Sequence, residues 1–537
     1  MLIMSIVENK NKSLVKSGSK LSLLVLGSRI LGLVRQMTMS HFLGTGPLAD
    51  AFATAFMLPN LFRRLFAENS ITVAFIPTFN AYLQKHKDSQ ESEKTKKEIN
   101  EFLNSIFTLV SFSTAIVVTL GIILSPLIVK LFFKNIADYD STVFLTRIMF
   151  PYLFLISVAA FFQGILNGVK IFNPSGFTPI LFNIIVISST YIFAKPFGDP
   201  AAAMSYGVVA GGLVQAIFQL PFVLKTGFSF KFTSLAKTFS NPGTKKVLAL
   251  IGPTIIGMAA YQINDLVSTS LATSAGLGIA SSLQYSLRLQ ELLLGIFAVS
   301  VGTVILPEMS ALALRKDWEA FQKVLLQAIK VIALITIPAT FFSLLSGENL
   351  IILIYKSNKF DSASVKLTLG IFNFHIIGLF AIAANRIIAP AFYAQNDSKS
   401  PTIAGIICFA VNILLALILV DPMGGNGIAL ALTISSFINT IILLIFLKRN
   451  KALDVKNLIF PALLFIAKIF VFSITASIPL YFLKDKIYSP FASLGKLIGQ
   501  GVPLFISFII FAGFGAGLLL ITKDRTANII LKRLKEK

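Results

Sequence analysis

The sequence predicts an all-α polytopic membrane protein of about fourteen transmembrane helices. It further predicts two parallel six-helix lobes followed by two C-terminal helices. Three observations carry this. Of 537 residues, 55% are apolar and only 13% are charged, with a mean hydropathy of +0.81; a soluble domain has roughly 25% charged residues. The apolar residues run in long unbroken stretches, which excludes the short alternating strands of a barrel. The basic residues gather on every second loop between those stretches.

Each span follows from the need for about 20 apolar residues to cross the hydrocarbon core. The stretches are 21–43, 48–83, 102–130, 143–169, 176–195, 201–224, 246–272, 277–311, 324–346, 365–394, 401–420, 426–447, 458–482 and 498–522. The second and eighth are long enough to tilt, break or protrude; the second holds Pro59 and Pro77 and the eighth ends near Pro307. The ends carry basic tails. No A-x-A-like site follows Lys10, Lys12, Lys16 and Lys20, so the first span, rather than a cleaved leader, is read as the membrane address.

The net charge of +23 resembles that of a nucleic-acid binder, but its placement argues otherwise. With both termini inside, 29 of the 47 basic residues fall on the inner tails and loops and 9 on the outer loops. The loop at 84–101 holds Lys85, Lys87, Lys94, Lys96 and Lys97; that at 225–246 holds Lys225, Lys231, Lys237, Lys245 and Lys246. This bias sets both termini in the cytoplasm and leaves no call for nucleic acid. Cys408 is the single cysteine, so no intrachain disulfide forms.

Six spans return the chain to the side it started from, so a duplicated six-span unit is parallel to its copy. Pro77 is echoed by Pro307, Thr178-Pro179 by Ser400-Pro401, and Gly207 by Gly427, at offsets of 230, 222 and 220. The expected organisation is a tail at 1–20, a first lobe at 21–240, a second at 241–450, a helix pair within 451–525 and a tail at 526–537. Two such lobes are expected to enclose a central cavity, as in a rocking transporter.

The remaining 9 basic residues lie inside the spans, and seven are arginines: Arg29, Arg35, Arg63, Arg64, Arg147, Arg288 and Arg386. An arginine at mid-bilayer costs about 2.5–3.5 kcal/mol on insertion scales and needs water, a partner or a ligand. Arg64, Arg147 and Arg386 sit where snorkelling to an edge is an equal reading. Arg29, Arg35, Arg63 and Arg288 outnumber the acids near them, which suits an anion, since guanidinium forks hold phosphate and carboxylate bidentately. Arg29 and Arg35 stand about 240° apart on an ideal helix and share no stripe. Arg64 with Glu68 (i,i+4) and Arg288 with Glu291 (i,i+3) are expected ion pairs. Asp50 is an acid that can enter the cavity. Asp265 in span 7 is the candidate for coupling an ion or proton, with a hydrogen-bonded cap beside Asn264 as the rival reading. His375 is read as a satisfied interior imidazole. No catalytic constellation, metal cluster or P-loop is present in the sequence, so no enzyme activity or cofactor is expected. A membrane potential or ion gradient is the expected energy source.

Leu26 to Arg35, Ala49-Asp50-Ala51-Phe52 and Leu58 to Glu68 together resemble the N-terminal signature of the MurJ (MviN) family of lipid II flippases. That family lies within the multidrug/oligosaccharidyl-lipid/polysaccharide exporter superfamily. Arg288 with Glu291, Gly302 to Pro307, and Pro390 to Tyr393 with Pro401 extend the resemblance along the chain. It implies movement of undecaprenyl-diphosphate-linked disaccharide-peptide from the inner to the outer leaflet of the bacterial cytoplasmic membrane by alternating access. It also implies substrate-binding roles for Arg29, Arg35, Asp50, Arg63 and Arg288, and a lateral groove for the lipid tail at spans 13 and 14. Peptidoglycan-synthesis enzymes are further implied partners. Gln36, Met57 and Leu287 stand where family members can carry charge. Two other readings stay open: another flippase or drug antiporter of the superfamily, and a membrane scaffold for cell-wall enzymes that transports nothing.

Overall fold

A computed structural model describes residues 24–65, 71–89 and 91–522. Glu68 and the tails at 1–20 and 526–537 lie outside the described residues. The fold is built of helices throughout: α1 (24–43), α2 (Pro47–Phe62), α3 (Ile76–Asp88), α4 (Ser92–Phe132), α5 (Tyr139–Met149), α6 (Pro151–Gly168), α7 (Asn173–Phe197) and α8 (Pro200–Leu224). A short α9 (Leu235–Ser240) leads to α10 (Pro242–Ala275), α11 (Ile279–Leu314), α12 (Trp318–Tyr355), α13 (Ser362–Ile377) and α14 (Leu379–Tyr393). Then come α15 (Lys399–Met423), α16 (Gly425–Leu447), α17 (Val455–Tyr488) and α18 (Lys496–Ile521).

Among the described residues, all fourteen predicted stretches coincide with helices. Among the described residues, nine helices are long and apolar enough to cross a bilayer, and the α13–α14 pair, bent by 41°, makes ten. The other four stretches coincide with α1, α2 to α3, α10 and α11, and these carry Arg29, Arg35, Asp50, Arg63, Arg64, Asp265, Arg288 and Glu291. Within span 2 the described residues turn π-helical at 63–65 and at Ile71–Phe75.

Local chemistry sets the ends. Asp199 accepts from the backbone N–H groups of Ala201 and Ala202 at 2.9 and 3.1 Å, Pro200 occupies the first helical position, and Gly198 takes φ +66° in the α7–α8 turn. Asp317, Asp361 and Asp454 cap α12, α13 and α17 in the same way. Bonds from the Ser364 backbone and hydroxyl hold the Asp361 carboxyl below its usual range.

The bend at Gly378 has a specific cause. The Gly378 N–H turns to the His375 carbonyl at 3.1 Å, and the Thr433 hydroxyl donates to the Phe374 carbonyl at 2.7 Å. A Cβ on Gly378 would stand 2.6 Å from that hydroxyl. The bend thus leaves a carbonyl that a neighbouring helix satisfies, as a bilayer demands.

The chain divides into two compact units, Met1–Ser270 and Leu271–Lys537. Within the first, Phe75, Phe79, Phe102 and Phe161 form an aromatic core, joined by Val247 of α10, while Leu266 packs beside Leu58 and Phe150. Most of α10 therefore packs in the first unit. In the second, α17 and α18 lie against α12, fixed by Asn349 Nδ2 donating to Gln500 Oε1 at 3.0 Å and by Lys484 Nζ on the Leu345 carbonyl at 2.8 Å.

Element order repeats between the units. α4 and α12 begin at 92 and 318, 226 apart. α5 and α13 begin at 139 and 362, 223 apart, and α7 and α15 at 173 and 399, 226 apart. Lys170 and Asn396, also 226 apart, both take left-handed backbone just after α6 and α14. One sequence echo needs correction: Gly207 is the eighth residue of α8 and Gly427 the third of α16, so they are not equivalent positions.

Candidate functional site

In the first unit the charged residues separate by burial. Arg29 is half-buried. Arg35 is 7% exposed: its Nε donates to Asn183 Oδ1 at 3.1 Å, and its guanidinium lies 5.5 Å from the Phe56 ring and 5.9 Å from that of Phe182. Asn183 in turn donates to the Pro179 carbonyl at 2.9 Å, which fixes its orientation. Arg35 therefore ties α1 to α2 and α7 through its charge and its flat face. The differing environments of Arg29 and Arg35 accord with their angular separation in the sequence. Asp50, 5% exposed, sits in the first turn of α2, where an acid complements the helix dipole.

Arg63 and Arg64 lie on the π-helical turn at 63–65, a geometry found at functional sites. Arg63 is half-buried, and its Nε donates to Asn60 Oδ1 at 2.9 Å. Arg64 Nη1 donates to Asp265 Oδ2 at 3.0 Å, with the two side chains 39% and 40% exposed. The structure thus joins two residues that the sequence assigned to different roles. Glu68, the expected partner of Arg64, lies outside the described residues.

In the second unit Arg288 Nη1 pairs with Glu291 Oε2 at 2.9 Å, as its i,i+3 spacing predicts. The structure adds a polar seam behind this pair. Ser282, Ser286 and Gln290 recur every four residues along α11 and face α13. Thr368 Oγ1 donates to Ser282 Oγ at 3.2 Å, Ser286 Oγ lies 2.7 Å from His375 Nδ1, and Gln290 Nε2 donates to the His375 carbonyl. His375 is 1% exposed and is the satisfied imidazole expected. Arg288 stands about 200° round the helix from Ser286, so the seam clamps one side of α11 and presents the arginine on another. The four-residue polar period was the sequence signal for this seam.

An apolar cleft of about 340 Å³ opens among α12, α17 and α18, lined by Leu334, Pro338, Ile469, Ala476, Phe511 and Leu519 among others. Two of its three walls, α17 and α18, are the helices beyond the predicted duplication.

The family model described as lipid II flippase MurJ matches residues 39–496. A protein of Treponema pallidum named probable lipid II flippase MurJ is 47% identical over 525 residues, spanning 97% of this chain and 98% of its own. One of Rickettsia prowazekii with the same name is 30% identical, spanning 96% and 100%. Among solved structures, lipid II flippase MurJ in an inward closed conformation is similar at a TM-score of 0.74 and 25% identity, covering 94% of this chain and 99% of that one. An inward-facing multidrug resistance MATE transporter of the MOP superfamily shares the fold at a TM-score of 0.62 and 16% identity.

Proposed function

This chain belongs to the lipid II flippase MurJ family, and from that premise we propose how its own residues carry the precursor across the bilayer. The protein is a multi-pass protein of the bacterial inner membrane and moves lipid II from one leaflet to the other. The observation that carries the residue-level reading is the contrast in exposure. Arg29, Arg63 and Arg288 are half-buried and keep part of their surface open to a ligand, whereas Arg35 and Asp50 are enclosed. We assign the negative diphosphate and the peptide carboxylates to Arg29, Arg63 and Arg288, whose forks suit them. Arg35 and Asp50 hold the first unit in shape.

The termini and the basic loops face the cytoplasm, by the distribution of lysine and arginine. The lipid tail follows the apolar cleft among α12, α17 and α18, because taking its chain through water costs about 0.8 kcal/mol per CH₂. Coupling to an ion gradient or the membrane potential runs through Asp265: a cation or proton arriving there competes with Arg64 for the carboxylate. The role is transport and not catalysis, and enzymes that build and polymerise the precursor are the partners it calls for.

Depleting the protein from cells and assaying which leaflet exposes the precursor tests this function. The precursor is expected to accumulate on the cytoplasmic face and to become inaccessible to an externally added cleaving enzyme. Unchanged outward accessibility contradicts the assignment and favours a scaffold.

A further inference from the structure

We propose that residues 225–246 form a preformed interfacial strap that gathers anionic phospholipid headgroups of the cytoplasmic leaflet. The backbone of this segment is pinned along α4. The N–H groups of Ser229, Lys231 and Thr233 donate to Asn100 Oδ1, Asn104 Oδ1 and Thr108 Oγ1 at 3.4, 2.8 and 3.0 Å. Two residues of extended chain advance about 6.6 Å and four residues of helix about 6.0 Å, so alternate N–H groups keep register with successive helical turns. Phe228 and Phe230 tuck against the aromatic core of the first unit. Phe232 is left 70% exposed and Phe239 49%.

Lys225, Lys231, Lys237, Lys245 and Lys246 are all exposed on the same segment. No acid occurs anywhere between Asp199 and Asp265. The other basic loop differs: at 84–101, five lysines stand among Asp88, Glu91, Glu93, Glu98 and Glu101, and Lys85 already holds Glu98 at 2.6 Å. Setting topology requires lysines but neither exposed aromatics nor a pinned backbone. Exposed rings beside lysines with no acid on their own segment fit a surface whose headgroups are negative and whose boundary accepts aromatic side chains. The inference rests on the cytoplasmic placement of this loop, and it is independent of which lipid the protein transports.

The test uses the full chain in nanodiscs, which present both leaflets and so make the readout indifferent to orientation. In a Trp318→Phe background, Phe232→Trp supplies one reporter at an exposed position. Brominated phosphatidylglycerol is expected to quench this reporter about fivefold more efficiently than brominated phosphatidylcholine, and added salt to reduce the difference. Changing the five lysines to glutamine is expected to abolish the preference, and changing them to arginine to keep it. Equal quenching by the two lipids, a reporter quenched by aqueous iodide instead, or a preference surviving in the glutamine variant would each overturn the proposal.

Discussion

Replacing Arg29, Arg63 and Arg288 together with alanine is expected to reduce lipid II transport in proteoliposomes by about a thousandfold or more, with the protein still folded. A hydrogen bond to a charged group contributes about 1.5–3 kcal/mol, so each lost arginine contact corresponds to roughly tenfold to a hundredfold. The thousandfold figure is the product of the three smallest single effects, and coupling among the three can shift it in either direction. Folding is expected to survive because all three side chains are only half-buried. Arg63 loses a bond to Asn60, and Arg288 loses an ion pair whose members are 37% and 54% exposed. Such a pair contributes about 0–1 kcal/mol. Arg35→Ala is the informative contrast. It removes a guanidinium that is 7% exposed and leaves Asn183 without that partner, so its first effect is lower thermal stability. Near-normal transport by the triple variant would remove the arginines from the mechanism.

Asp265→Asn is expected to slow transport about tenfold or more, which is about 1.4 kcal/mol on the barrier, while barely moving the melting temperature. The Arg64–Asp265 pair is 39% and 40% exposed, so its contribution to stability is about 1 kcal/mol at most, and its loss should register in the rate. The exchange Arg64→Asp with Asp265→Arg separates two roles. It restores an ion pair but moves the carboxylate to another helix. If Asp265 receives the coupling ion, the exchanged protein stays slow; recovery of the rate would show that only the pairing matters. The dependence of rate on an imposed gradient, flattened in Asp265→Asn, is the accompanying measurement.

What the sequence showed depended on the range of the physics involved. Helices were legible because a bilayer demands about twenty apolar residues wherever the chain crosses, and among the described residues each of the fourteen stretches coincides with helix. Arg288 with Glu291 was legible because three residues of helix bring two side chains together whatever surrounds them. Arg64 was a different case. Local spacing pointed to Glu68, whereas the bond to Asp265 spans 201 residues of sequence and depends on how α10 packs. That packing also places the edge of the first compact unit at Ser270, beyond the repeat boundary drawn at 240, because Val247 and Leu266 are held by its cores. The enclosure of Arg35 was hidden for the same reason, since it is made by Phe56, Phe182 and Asn183 from two other helices. The lysines of 225–246 were visible at once, but the pinning of their backbone to α4 was not, because side-chain acceptors on a helix leave no mark in the segment they hold.

The central claim is that guanidinium groups hold the diphosphate, and it is tested most directly by binding of the purified full chain to undecaprenyl diphosphate against undecaprenyl monophosphate, in the same detergent and at the same salt. The two lipids share the tail and differ by one phosphate. The wild-type chain is predicted to bind the diphosphate about tenfold or more tightly, and the Arg29→Ala, Arg63→Ala, Arg288→Ala variant to bind both alike. Equal affinity in the wild type, or a preference undiminished in the variant, would contradict the account.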